Sequence, residues 1–365
     1  MRISKISIAK LRIPLIRPFI TALRRTEQVE DVVVIVETDN GLVGYGSAAS
    51  TPVITGDSTD SIIGAIQLIG SALVGADIRN FAALLQLIRT WVINNTSAKA
   101  ALDIAVYDLI SKSAGLPLYK FLGGGIPEVK ILSTVSVKDC AEMVADAKLF
   151  VSQGFETLKI KVGLEPREDI VRLKAVRQAV GDKIQILSDA NQGWDAKSAL
   201  NIIDSLVKND IGIAMVEQPV KAWDIEGLKY IRDNSRLPIY ADEAVFSVRD
   251  ATKIIAAQAA DGLNIKLMKA GGLAEGMAIY DLATAHNIPC MAGCMLESPI
   301  GLAAMASMIV GRSNIKFVDL DPITMIKTNP VVGGVTLDGA TLHLTEAPGL
   351  GITHIDNLEI LTVLQ

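Results

Sequence analysis

From about residue 126 to residue 332 the chain repeats one pattern eight times: a short apolar run suited to a strand, then 10 to 15 residues of helical periodicity. The strand ends fall near Thr134, Lys161, Asp189, Glu217, Asp242, Lys266, Gly293 and Asp319, at intervals of 24 to 28 residues. Alternating strands and helices build a parallel sheet, and eight units of one period close that sheet into a (β/α)8-type barrel.

The flanking segments read differently. Residues 1–125 carry alternating strands, with Asp39-Asn40-Gly41 as a hairpin turn, followed by helical patterns over 58–74, 80–92 and 97–113. Ser97 is the expected N-cap of the third helix and Gly115 its stop. Strands followed by helices indicate an α+β domain. Residues 333–365 regain strand and turn character and are expected to fold back onto residues 1–125, so that both termini build one cap.

Composition excludes several partners. A chain that is 50% hydrophobic with a formal charge of -5 is neither disordered nor basic enough to track nucleic acid. The longest uncharged apolar stretches, 61–76 and 298–311, are shorter than the roughly 18 to 20 residues of a bilayer crossing. Arg2, Lys5, Lys10, Arg12 and Arg17 interrupt any signal-peptide core, so the expected location is the cytosol. Cys140, Cys290 and Cys294 match no disulfide or zinc spacing and read as reduced thiols. Assembly into a homo-oligomer is left open.

Strand alternation sorts the ionisable residues. Over 157–162, Leu158, Ile160 and Val162 face the helices, and Lys159 and Lys161 face into the barrel. The same division places Asp189, Glu217, Asp242, Lys266, Asp319 and Asp321 on the inner face at the carboxyl ends of their strands. Barrel enzymes keep their active sites at that end. A single acid after a strand is ordinarily a helix cap or a solvated charge, but capping does not call for ionisable groups at one height on six strands. Three lysines aimed into a packed barrel are costly without a purpose.

Asp189, Glu217 and Asp242 come from consecutive strands, and three converging carboxylates require a cation. An all-oxygen set favours Mg²⁺ or Mn²⁺, and one Mg²⁺ per subunit is expected. Lys161 and Lys266 stand half a barrel apart, on opposite sides of that position. Such a pair suits inversion of a carbon acid: one neutral lysine removes the proton α to a carboxylate, the other returns a proton to the opposite face, and the cation stabilises the added charge. Burial and the nearby charge of Lys159 are expected to lower the lysine pKa.

These residues carry a resemblance that spans the chain. Leu158-Lys-Ile-Lys-Val-Gly163, Asp189-Ala-Asn-Gln-Gly193, Val216-Glu-Gln-Pro219, Ala241-Asp-Glu243 and Asn264-Ile-Lys-Leu-Met-Lys269, in this order and spacing, resemble the enolase superfamily and within it the muconate lactonizing enzyme subgroup. The resemblance implies an α/β fold, a modified (β/α)8 TIM-type barrel of (β/α)7β form with an α+β capping domain. It also implies Lys161 and Lys266 as catalytic bases assisted by Lys159, and Asp189, Glu217 and Asp242 as Mg²⁺ ligands.

Within that subgroup, Asp319-Leu-Asp321 is similar to the paired aspartates with which dipeptide epimerases hold a free ammonium group. Residues 18–24 and 51–57 resemble the cap loops of L-Ala-D/L-Glu epimerases, which implies that Arg24 grips a side-chain carboxylate; Thr134 and Met295 are implied in the pocket wall. Cys294 departs from the small polar residue of relatives. Epimerases of hydrophobic dipeptides, racemases of N-acylamino acids and an inactive metal-dependent binding protein are the rival readings. A dinucleotide-binding fold is not among them, because Gly41-Leu-Val-Gly-Tyr-Gly46 follows a hairpin turn and lacks the spacing.

Overall fold

The computed structural model describes residues 1–365. The chain opens with β1 (Ile3–Ile20), β2 (Arg25–Thr38) and β3 (Val43–Ala49), followed by α1 (Thr59–Leu73), α2 (Phe81–Thr90), α3 (Thr96–Ser113) and the one-turn α4 (Leu118–Phe121). The Asp39-Asn40-Gly41 turn joins β2 to β3, with Gly41 at φ +86°, a conformation that favours glycine. The β1–β2 hairpin is much longer than its apolar runs suggest: pairing resumes at Phe19–Thr26 beyond a break at Pro14, and residues 21–24 form its tip.

This sheet has two apolar faces. Ile6, Ile8, Val32 and Val34 pack against α1 and α3, while Ala9, Leu11, Ile13 and Val33 join the core shared with the barrel. Burial on both sides explains why Val32–Val36 is continuously apolar rather than alternating.

Eight parallel strands follow in sequence order: β5 (Ser133–Val135), β6 (Thr157–Lys161), β7 (Gln185–Asp189), β8 (Ile213–Glu217), β9 (Ile239–Ala241), β10 (Gly262–Lys266), β11 (Cys290–Gly293) and β12 (Ile315–Val318). Between them run α5 (Cys140–Ser152), α6 (Pro166–Val180), α7 (Ala196–Lys208), α8 (Ile225–Asn234), α9 (Val248–Ala257), the short α10 (Leu267–Ala270) with α11 (Leu273–Ala285), and α12 (Pro299–Ile309). The outer strands meet through a hydrogen bond from Leu132 N to Val318 O of 2.9 Å, which closes the eight-stranded sheet into the expected barrel.

The last segment divides. β14 (Val335–Asp338) and β15 (Thr341–Leu344) pair with β4 (Glu128–Lys130), and β13 (Val331–Val332) pairs with β16 (His354–Ile355). Only β17 (Glu359–Leu364) joins the N-terminal sheet, antiparallel to β1. Ser97 is not a cap: it lies inside α3, whose N-cap is Asn95, and its amide donates to Asp57 Oδ2 at 2.9 Å.

Buried aspartates fasten the N-terminal elements to the barrel by accepting from amides at helix starts. Asp31 Oδ2 accepts from Ser298 N at 2.9 Å, at the start of α12, and Asp103 Oδ1 from Leu273 N at 2.5 Å, at the start of α11. Burial pushes the Asp103 carboxyl up to about 8 and the Asp31 carboxyl to about 6. For Asp103 the fold therefore favours the neutral form, and its stabilising contribution is lost as pH rises from the ordinary value of 3.8 through about 8. Asp103→Asn keeps the accepting oxygen and cannot ionise, so its Tm is expected to match or exceed that of the parent above pH 8 and to vary less with pH. Thermal melts on either side of that pH decide, and an equally steep loss in both proteins refutes the assignment.

Candidate active site

The parallel register aligns the strand ends. Lys161 pairs with Asp189 across β6 and β7, Asp189 pairs with Glu217 across β7 and β8, and Asp242 follows β9 directly. Lys266 ends β10, four strands from Lys161 in a sheet of eight. Asp189, Glu217 and Asp242 are fully buried, and Lys159, Lys161 and Lys266 are at most 5% exposed.

The lysines sit on the acids. Lys161 Nζ is 2.5 Å from Asp189 Oδ2, and Lys266 Nζ is 2.6 Å from Asp242 Oδ2. Lys159 lies 3.3 Å from Glu217 Oε2 and 3.4 Å from Asp189 Oδ2, and it hydrogen-bonds Asp319. A fourth amine, Lys269, is 2.6 Å from Asp242 Oδ1 and donates to the carbonyls of Asp242 and Asn264.

Four buried lysines thus face seven buried carboxyls: Asp189, Glu217, Asp242, Glu243, Glu297, Asp319 and Asp321. The excess shows in their titration. Burial first, and then the charges of Asp189 and Asp242, push Glu217 up to about 8. Burial and Asp242 raise Glu243 to about 7, and burial and Asp319 raise Asp321 to about 7. Burial acts to lower the Lys266 pKa, but the Asp242 carboxylate outweighs it and the net direction is upward. The expected downward shift is therefore not found at Lys266: a lysine in contact with an unneutralised carboxylate keeps its proton.

The donor set suits a hard divalent cation. Three carboxylates on consecutive strands repel one another, no His or Cys stands among them, and Asn191 Oδ1 and Glu243 Oε2 lie buried beside them without partners. As the side chains stand, no three acids are close enough to ligate one ion. Their oxygens accept from Lys159, Lys161, Lys266 and Lys269 and from Asn191 N and Asn264 Nδ2.

Above these acids lies a narrow cavity of about 40 Å³. Lys159, Lys161 and Lys266 face it from the barrel, with Thr134, Asp319 and Asp321 on one side and Met295 beside Cys294 on another. The β1–β2 tip contributes Arg24 and the turn after β3 contributes Ile54. Arg24 is partly buried and its guanidinium has no hydrogen-bond or ion-pair partner, and that burial lowers its pKa. The Cys294 thiol is directed at Asp319 O at 3.1 Å.

Asp321 is not on a strand face. β12 ends at Val318, and Asp321 opens a 3₁₀ turn with Pro322 behind it. The turn still brings it to the cavity, where Asp321 Oδ2 accepts from Thr134 N at 2.5 Å and Asp319 Oδ1 accepts from Thr134 Oγ1 at 3.3 Å.

Sequence reasoning passed over Asn264, which donates to Glu217 Oε1 at 2.5 Å, and Lys269. Asn264 lies two residues before Lys266 on β10, so strand alternation alone marks it as inward-facing. Lys269 has no such signal, because it reaches Asp242 from the helical turn that follows the strand.

The models of two families match the chain: "Mandelate racemase / muconate lactonizing enzyme, N-terminal domain" over residues 4–123 and "Enolase C-terminal domain-like" over residues 142–357. An L-Ala-D/L-Glu epimerase of Clostridium acetobutylicum is 44% identical over 98% of this chain and 100% of its own length. A hydrophobic dipeptide epimerase of Enterococcus faecalis is 40% identical over 97% of this chain and 100% of its own. The substrate-liganded L-Ala-D/L-Glu epimerase of Bacillus subtilis superimposes with a TM-score of 0.95 at 42% identity, covering 97% of this chain and 99% of that one.

Removing one member of a buried ion pair leaves the other uncompensated, at a cost of about 3 to 5 kcal/mol. Lys269→Met is expected to lower unfolding stability by that order, read as a reduced urea midpoint with an unchanged slope. A loss below about 1 kcal/mol shows that Lys266 alone compensates Asp242.

Proposed function

The chain belongs to the mandelate racemase / muconate lactonizing enzyme family of the enolase superfamily, and from that premise we propose that it is a Mg²⁺-dependent dipeptide epimerase. It inverts the α-carbon of the C-terminal residue, with L-Ala-D/L-Glu as the preferred substrate. The observation that carries this reading is the pair of buried amines, Lys161 and Lys266, four strands apart across one cavity whose wall also holds Asp319, Asp321 and Arg24.

Asp189, Glu217 and Asp242 would hold the Mg²⁺, which would supply positive charge where a carboxylate gains electron density as its α-proton leaves. Lys161 and Lys266 flank the α-carbon from opposite faces; the neutral one takes the proton and the charged one delivers its own to the other face, giving the epimer. Lys159, held by Asp319 and Glu217, adds fixed positive charge beside the substrate carboxylate. Asp319 and Asp321 receive the free ammonium group, a cation that suits two adjoining acids.

Arg24 selects the side chain. A partly buried guanidinium with no partner of its own is matched by the carboxylate of glutamate. Phe19, Ile54 and Met295 in the same cavity favour a second reading, a hydrophobic dipeptide, which Arg24 opposes. The proposed setting is recycling of peptidoglycan peptides in the cytosol; no helix is long and apolar enough to cross a membrane.

Proton NMR of L-Ala-L-Glu in deuterated buffer with Mg²⁺ tests the reaction: the glutamate α-proton is expected to exchange with inversion. Lys161→Ala and Lys266→Ala should each lower epimerisation by about a hundredfold to ten-thousandfold, and near-parent turnover in either variant overturns the two-base scheme. Arg24→Met is expected to cost about ten- to a hundredfold in preference for glutamate over uncharged C-terminal residues; unchanged preference removes Arg24 from recognition. Because Glu217 holds its proton up to about 8, Mg²⁺ binding should release protons and weaken as pH falls below that value. Calorimetry in two buffers of different ionisation heat measures the release, and equal heats in both refute it.

A further inference from the structure

A second and much larger cavity, of about 700 Å³, lies between the N-terminal elements and the barrel. Helix α2 and the start of α3 form one wall; the β9–α9 connection and the segment joining α10 to α11 form the other. Its volume is in the range of small-molecule sites.

One side chain sets it apart. Lys99, in the first turn of α3, is 8% exposed and lines this cavity, yet its amine has neither a hydrogen bond nor an ion pair. Each of the other four buried lysines touches a carboxylate. The Lys99 stem runs along Gly271, where an added Cβ would meet Lys99 Cβ at 3.6 Å.

The nearby acids are engaged elsewhere. Asp57 accepts from Ser97 N at 2.9 Å, Asp103 from Leu273 N at 2.5 Å, and Asp250 from Ser247 Oγ at 2.8 Å. Glu275 accepts from Val248 N at 2.9 Å and from Arg89 at 3.4 Å. The fields of Asp57 and Glu275 support the Lys99 charge, but burial outweighs them and lowers its pKa. The Lys99 amine therefore opens to the cavity with no protein partner, and an anion arriving there would pair with it. Arg89 at the rim is paired with Glu275, which leaves Lys99 as the unpaired cation, and Leu85, Ile88 and Phe246 supply an apolar wall.

We propose that this cavity binds a small organic carboxylate, with its oxygens on the Lys99 amine and its apolar part against Leu85, Ile88 and Phe246. Ile54 lines both this cavity and the lysine-walled one, so an occupant here bears on the turn that covers the active site. Differential contact of that kind is what coupling between two sites requires. The ligand thus acts as an effector, altering KM for the dipeptide while leaving the lysines untouched.

The test uses the full-length, Mg²⁺-loaded protein with its active site saturated by dipeptide, and butyrate as the probe. Calorimetric titration should show one butyrate site, weakened about tenfold or more in Lys99→Met, the loss of one charge-assisted hydrogen bond. Lys99→Gln, which keeps a polar head, serves if the methionine variant does not fold. Without butyrate both variants should epimerise at the parent rate, and butyrate should shift KM only in the parent. Crystals soaked in 4-bromobutyrate should show the bromine in this cavity in the parent and not in the variant. No binding, equal affinity in parent and variant, bromine confined to the active site, or binding at crystal concentration only overturns the proposal.

Discussion

The structure is organised around an excess of buried acid at the carboxyl ends of the barrel strands. Carboxyls removed from water must be paired, protonated or bound to a cation, and here the first two solutions operate within a few ångströms. Lys161, Lys266 and Lys269 pair with Asp189 and Asp242, and Glu217, Glu243 and Asp321 are pushed toward the neutral form. In the proposed reaction the same residues would take two parts: the acids would hold the ion and the lysines would carry the proton.

Attachment of the N-terminal elements follows a similar economy of buried charge. Asp31 and Asp103 accept from the first amides of α12 and α11, and Asp108 accepts from Leu350 N and Tyr45 N. The acids satisfy amides at two helix starts, in one loop and, at Tyr45, on strand β3. The β-sheet above them is apolar on both faces, so it buries Ala9, Leu11 and Ile13 toward the barrel while keeping its own helices. The hairpin tip is thereby held over the barrel mouth by strands that are themselves rigidly packed, and Arg24 is carried there on a short turn.

Strand alternation and a sustained period made much legible from the amino acids alone: eight parallel strands in order, the inward lysines of β6, and the acids ending β7 and β8. These follow from local rules, since side chains two residues apart share a face whatever the rest of the chain does. The hairpin turn at Gly41 and the stop at Gly115, both at positive φ, are equally local. Ser97 failed as a cap because α3 already starts at Thr96, with Asn95 as its N-cap; the Asn95 side chain caps no amide, and that of Ser97 is met instead by the distant Asp57.

What tertiary structure alone decided is which charge meets which. No spacing announces that Lys269 reaches Asp242 from a helical turn, that Asp321 reaches Thr134 from a 3₁₀ turn, or that Lys99 opens to a cavity without a protein partner. The lysine pKa expectation missed for the same reason: Lys266 lies against Asp242, and a contact at 2.6 Å outweighs the general effect of burial. Sequence determines the periodicity of the backbone and hence the height and facing of each group on its strand. Energies between charges depend on separations of a few ångströms, and those are set only when strands distant in the chain close into one barrel.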